Sequence, residues 1–267
     1  MKGSWHGLTV IARREFVSNL RSVRMVILMV IFSLLVLFTI YVGSLFLSLS
    51  GPLPGLEQDT LSQGPAIVLW FVSEFIVFIG PILALALSFD VIVREKVQNS
   101  LALLLSRPVS RQAIALGKFL GVFGSLALPV VVVNSLAVAL AVALSGKGIG
   151  IDQTVGFLLL TLLFLGTYLA IGQLISSLAK TTTTAILAGI GVWFFFWLFL
   201  WILQVILRQE VVSLFNPGTA YSACMGALLV GISPGSLLPL WGYYALTVAW
   251  MVAPLLVAVV VFDRKDE

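Results

Sequence analysis

Glu74 stands alone as an ionisable residue inside a long apolar run, in the stretch Trp70-Phe71-Val72-Ser73-Glu74-Phe75. A carboxylate near the middle of a bilayer costs roughly 2.5–3.5 kcal/mol, and such groups face a bundle interior or an aqueous cavity. Glu74 is therefore a candidate for a polar element lining a passage, or else for a protonated or hydrogen-bonded structural contact. Other reactive types are sparse. His6 is the single histidine, so no histidine-based triad and no zinc site built on several imidazoles can form among the apolar runs. Cys224-Met225 sets two sulfurs side by side, a pair that in principle suits Cu(I), but small buried residues beside Gly226 explain it equally well. Asn134 and Gln173 read as hydrogen-bonding groups between helices. No two carboxylates share a run, which removes an acid–base dyad. The expectation is a chain with no catalytic residue, no metal site and no cofactor of its own.

The elements that must hold Glu74 follow from composition. Sixty per cent of the residues are hydrophobic and 10% are charged, against roughly 25% charged in an ordinary soluble domain. Six apolar runs account for this: Met25–Leu49, Ala66–Phe89, Phe119–Leu144, Val155–Leu178, Ala185–Leu207 and Leu240–Phe262. Each exceeds the ~20 residues needed to cross a ~30 Å hydrocarbon core. In lipid each must satisfy its own backbone groups, so each is a helix. An all-α membrane protein with one domain over residues 1–267 is the fold expected. The first run is too long for the roughly 7–15 apolar residues of a signal peptide. One cysteine excludes an internal disulfide.

Charge sets the orientation. Thirteen of the fifteen Lys and Arg residues fall on one side of the runs: Lys2, Arg13, Arg14, Arg21, Arg24, Arg94, Lys96, Arg107, Arg111, Lys118, Lys180, Arg264 and Lys265. Lys147 and Arg208 are left for the other. Positive loops stay cytoplasmic during insertion, so both termini are expected inside the cell membrane. The net charge of +4 then records topology and does not signal nucleic acid.

Three segments between the runs carry information. In residues 4–24, Trp5, Leu8, Ala12, Phe16 and Leu20 recur at helical spacing, with Arg13 and Arg14 on other faces; this predicts an amphipathic helix at the inner interface. In residues 208–239, Asn216-Pro217-Gly218 and Ser233-Pro234-Gly235 bracket an apolar stretch too short to cross comfortably, which predicts a re-entrant helical hairpin on the outer side. In the third, Asp90, Arg94, Glu95 and Lys96 precede a short helix from Val97 to Leu105 presenting Val97, Leu101, Leu104 and Leu105, and Pro108 stops it. Such a helix suits the groove of a soluble partner or a resting place on lipid; the residues alone do not choose. In the fifth run, Gly189 and Gly191 would allow close helix approach before the aromatic block Trp193 to Trp201. Thr181–Thr184 reads as a cap for that run.

The pattern Arg94-Glu95-Lys96, Ser100-Leu101 to Leu105, Pro108-Val109-Ser110-Arg111 and Gly117-Lys118-Phe119 resembles the cytoplasmic loop of permease subunits in type-2 ABC exporters. Ile11-Ala12-Arg13-Arg14-Glu15-Phe16 is similar to that family's interfacial connecting helix. Gly80-Pro81 through Asp90, and Asn216-Pro217 with Tyr221, look like the branch serving nitrous-oxide-reductase maturation. The resemblance implies a coupling helix between runs two and three, with Glu95, Val97, Leu101, Leu104 and Leu105 as contacts to a separate cytoplasmic ATPase that binds ATP and Mg. It further implies a second permease copy meeting across the first and fifth spans, a surrounding lipid bilayer, and an extracytoplasmic accessory protein as a further partner. No Walker A pattern is present: Gly146-Lys147 lacks both the glycine spacing and the following Ser or Thr. The rival reading is a non-ABC integral membrane enzyme or scaffold using Glu74.

Overall fold

The computed structural model describes residues 2–49, 64–97, 110–207, 210–234 and 237–264. Among these residues the chain is helical, without strands. Helix α1 is Lys2–Leu20, α2 is Val23–Leu49, α3 is Pro65–Ser88 and α4 is Val93–Val97. Then come α5, Arg111–Ser145, and α6, Ile151–Leu178. Helix α7, Thr182–Phe194, passes through a π-helical turn, Phe195–Phe199, into α8, Leu200–Leu207. A 3₁₀ turn, Glu210–Phe215, leads to α9, Pro217–Met225, which continues as a second π turn, Gly226–Val230. Helix α10 is Leu240–Arg264. Six stretches are long and apolar enough to cross a membrane, and α7 with α8 forms the fifth of them.

Local chemistry explains the boundaries. Ser22 Oγ donates to the Asn19 carbonyl and accepts from the Met25 amide, so the chain breaks between α1 and α2 and Arg24 belongs to the membrane helix. Ser110 caps α5, accepting from Ala113 N at 3.2 Å. Gly146 ends it in the left-handed region at φ 66°. Thr181 and Thr184 cap α7 reciprocally, each hydroxyl accepting from the other's amide. Helices α3, α5 and α10 continue through Pro81, Pro129 and Pro254.

Helix α6 is the hub, packed by α3, α5 and α10. Its small residues let these neighbours in: a Cβ on Gly166 would meet Met251 Sδ at 2.7 Å, and one on Gly156 would meet Leu228 at 2.5 Å. Gly172 lies directly against Ser88 of α3. Three residues line the core beside them, since Phe157, Phe164 and Leu165 are almost wholly buried.

Helix α1 packs along the first turns of α5 and runs parallel to it. A Cβ on Gly121 would meet Glu15 Cβ at 2.5 Å and the Ala12 carbonyl at 2.6 Å, while Gly117 faces Leu8 and Ile11, and Gly124 faces the Phe16 ring. The Gly117-x-x-x-Gly121-x-x-Gly124 spacing is thus a docking strip. The face of α1 that carries Leu8, Ala12 and Phe16 meets protein, and Arg13 and Arg14 are exposed.

One sequence expectation is corrected, at Asn134. Within the chain, a Cβ on Gly189 or Gly191 would find nothing within 4 Å, so no helix of the same chain packs closely on either. The fifth span instead meets α3 through its aromatic rings, with Trp193 and Trp197 stacked 5.4 Å apart and both edge-on to Phe78. Asn134, expected to bond between helices, is fully buried with neither amide atom partnered among the described residues. Gln173 does bond across, donating to the Ala115 carbonyl at 2.8 Å.

Candidate functional site

One end of the bundle gathers α1, the start of α2, the α3–α4 junction, the start of α5, the end of α6 and the end of α10. Ile92, Ile114, Ala115, Val259 and Phe262 form a small apolar cluster there, and Gln112 donates to Asp263 at 3.2 Å. At its centre sits Lys118, whose side chain is 3% exposed. A lysine is kept charged in such a place only by partners, and it has three. Its Nζ is 2.8 Å from Glu95 of α4, 3.3 Å from Glu15 of α1, and donates to the Val91 carbonyl at 2.9 Å. One ammonium therefore joins three elements far apart in sequence.

Around Lys118 the α3–α4 junction is fastened to the rest. Ser176 Oγ of α6 accepts from the amides of Ile92 and Val93 at 2.9 and 3.0 Å. Lys96 Nζ donates to the Ser177 carbonyl at 2.6 Å. Arg24 grips Asp90 with both terminal nitrogens, at 2.8 and 3.2 Å, and lies over the Phe89 ring. These contacts hold the point where the chain leaves for residues 98–109. Of the sequence candidates in that region, Glu95 faces inward to Lys118, and Val97 ends α4 exposed. The charged residues Arg94, Glu95 and Lys96 are themselves helical, inside α4. Leu101, Leu104 and Leu105 lie outside the described residues. Ser176 and Asp90 escaped the sequence reading as functional, and Lys118 entered it only as a positive charge and a motif position. The available signal was the lysine's place one residue after Gly117, which puts it beside the α1 docking strip.

A second polar feature lies within the membrane-spanning part. Glu74 Oε2 accepts from Ser222 Oγ of α9 at 3.2 Å. Ser222 borders a cavity of about 550 Å³ between α3, the fifth span and α9, lined by Trp193, Phe196, Trp197 and Trp201 with Asn216 and Thr219. Asn216 builds this corner: its Oδ1 accepts from Gly218 N at 2.9 Å, capping α9, and its Nδ2 donates to the Phe196 carbonyl at 3.0 Å. Nearby Tyr221 is fully buried, shares a 3.0 Å hydrogen bond with Thr161 and stacks on Phe164. Cys224 is also buried, its sulfur 3.9 Å from Thr247 Oγ1. No group of three potential metal ligands occurs among the described residues.

The family model described as ABC-2 family transporter protein matches residues 9–267. The chain belongs to the ABC-2 family of transporter proteins. Curated relatives agree. A protein of Stutzerimonas stutzeri named probable ABC transporter permease protein NosY is 30% identical over 211 residues, covering 78% of this chain and 72% of the relative. Its namesake in Pseudomonas aeruginosa is 29% identical over 198 residues, covering 70% and 65%. The match to this family sets aside the rival of a non-ABC enzyme or scaffold around Glu74. With six membrane-length apolar helices, this ABC-2 family member is a multi-pass membrane protein.

Proposed function

We infer that this chain is the permease subunit of an ATP-driven exporter, working as a pair with a separate cytoplasmic ATPase that binds ATP and Mg. It resides in the cytoplasmic membrane with both termini inside, as the basic loops require. The observation that carries the coupling reading is Lys118, held by Glu95 and Glu15 at the base of segment 98–109. A push by the ATPase on that segment reaches α4 first. Through Lys118 it passes to α1 and α5, through Ser176 to α6, and through Arg24 to α2. Rigid connections matter here, because packed helices respond to a displacement by shifting as units.

Glu74, Ser222 and the aromatic cavity beside them form the polar part of the pathway side in this reading. The apolar surroundings suit a lipid-like or amphipathic substrate. The resemblance to the nitrous-oxide-reductase maturation branch adds a copper- or sulfur-related cargo, or mechanical coupling to an extracytoplasmic accessory protein, as the alternative. The test is co-purification from the native membrane followed by ATP turnover measurements. A stoichiometric Walker-containing ATPase is expected, and Leu101→Asp with Leu104→Asp abolishes permease-stimulated turnover while membrane insertion persists. Unchanged turnover in that variant would refute the coupling assignment.

A further inference from the structure

At the basic end, a polar cavity of about 320 Å³ opens between α1, the start of α2 and α4, lined by Arg14, Ser18, Asn19, Arg24, Arg94 and Lys118 together with Glu15, Asp90, Val91 and Glu95. The three carboxylates are occupied. Asp90 is held by Arg24, while Glu15 and Glu95 are held by Lys118. Arg14 and Arg94 remain, exposed and in no ion pair among the described residues. Four cations against three carboxylates leave the cavity net positive, with two guanidiniums, the Ser18 hydroxyl and the Asn19 amide to donate.

A second cavity, of about 400 Å³, is lined by the residues that follow two of these in the chain. Asn19 and Arg24 line the polar one; Leu20 and Met25 line the next, with Val26, Met29, Val30 and Pro129. It is apolar, and it follows α2 into the membrane. A charged recess and an apolar cleft lined by consecutive residues, Asn19 with Leu20 and Arg24 with Met25, match an amphiphile with an anionic head. We propose that a phospholipid binds here, its phosphate group between Arg14 and Arg94 and an acyl chain in the cleft along α2. Guanidinium suits phosphate through paired, charge-assisted hydrogen bonds. Arg24 and Lys118, already engaged, supply field without needing to move.

The site is tested on the purified full chain in detergent, titrated with phosphatidylglycerol, phosphatidylcholine or inorganic phosphate, with bound lipid read by native mass spectrometry. Phosphatidylglycerol binds most tightly, and Arg14→Gln with Arg94→Gln weakens it by roughly tenfold or more, since each lost hydrogen bond to a charged group is worth about that factor. Val30→Trp, which fills the cleft from an exposed position, weakens the lipid and leaves inorganic phosphate unaffected. Equal lipid affinity in the parent and the arginine variant overturns the proposal. Inorganic phosphate binding as tightly as phosphatidylglycerol, with no effect of Val30→Trp, overturns the lipid and leaves a free-anion site. An arginine variant that keeps its lipid affinity but loses a co-purifying ATPase overturns it too, and assigns the arginines to protein contact.

Discussion

Asn216 donates from its side-chain amide to the carbonyl of Phe196 at 3.0 Å, strapping the start of α9 to the π turn of the fifth span. The same residue caps α9 through its oxygen. π turns are rare and cluster at functional positions, and here one lies against the aromatic cavity beside Ser222. Asn216→Ala removes both contacts and is expected to cost about 1–2 kcal/mol, the upper range of an N-cap loss. Asn216→Ser keeps a capping oxygen but cannot reach as a strap, so it separates the two contributions. Thermal unfolding followed by tryptophan emission, which reports Trp193 and Trp197 beside the strap, distinguishes them.

Lys118 is the residue whose loss the basic end tolerates least. Lys118→Met leaves Glu15 and Glu95 facing each other, partly buried at 24% and 18% side-chain exposure. Breaking one partner of a buried ion pair costs on the order of 3 kcal/mol. The melting temperature in detergent should fall accordingly, and adding Glu95→Gln should restore part of it. If Lys118→Met melts with the parent, the cluster holds nothing together.

The α1 docking strip predicts a graded response. Gly121→Ala drives a methyl into Glu15 Cβ and the Ala12 backbone, neither of which can swing away, and overpacking of that kind costs about 1–3 kcal/mol. Gly124→Ala meets only the edge of the Phe16 ring at 3.2 Å, which can yield by a few tenths of an ångström. Limited proteolysis within α1 should accelerate in the first variant and stay near the parent in the second.

Tyr221 separates packing from hydrogen bonding. Tyr221→Phe keeps the stack on Phe164 and loses the hydroxyl bond to Thr161, a contact worth about 0.6 kcal/mol between membrane helices. Tyr221→Ala empties a fully buried site and should cost about 3–5 kcal/mol. Comparable losses from both substitutions, measured by thermal unfolding, would show that the hydroxyl and not the ring holds α9 in the bundle.

Much of this architecture is legible in the chain because the bilayer imposes a one-dimensional rule. A run of apolar residues long enough to cross must be a helix, and basic loops must gather on one side. So Met25–Leu49 and its five companions, the cap at Thr181–Thr184, and the breakers at Asn216-Pro217-Gly218 and Ser233-Pro234-Gly235 could be read residue by residue. Helix pairing could not. The spans are mostly apolar around their whole circumference, so periodicity does not say which face meets protein, and in lipid small residues and single hydrogen bonds choose the neighbours. Gly117 and Gly121, four apart, share one helix face and take α1 against it, whereas Gly189 and Gly191, two apart, point to different faces and meet no helix of the same chain.

The sequence by itself determined six membrane-length helices and a charged segment between the second and third, because hydrophobic length and charge act locally. Tertiary structure alone decided that Lys118 would bind Glu15 and Glu95, residues that stand 103 positions before it in one case and in a different helix in the other. It likewise decided that Glu74 would meet Ser222 across 148 positions. Those pairings depend on how the helices stack around α6, and stacking is settled by complementary shape across many contacts at once, which no local pattern encodes.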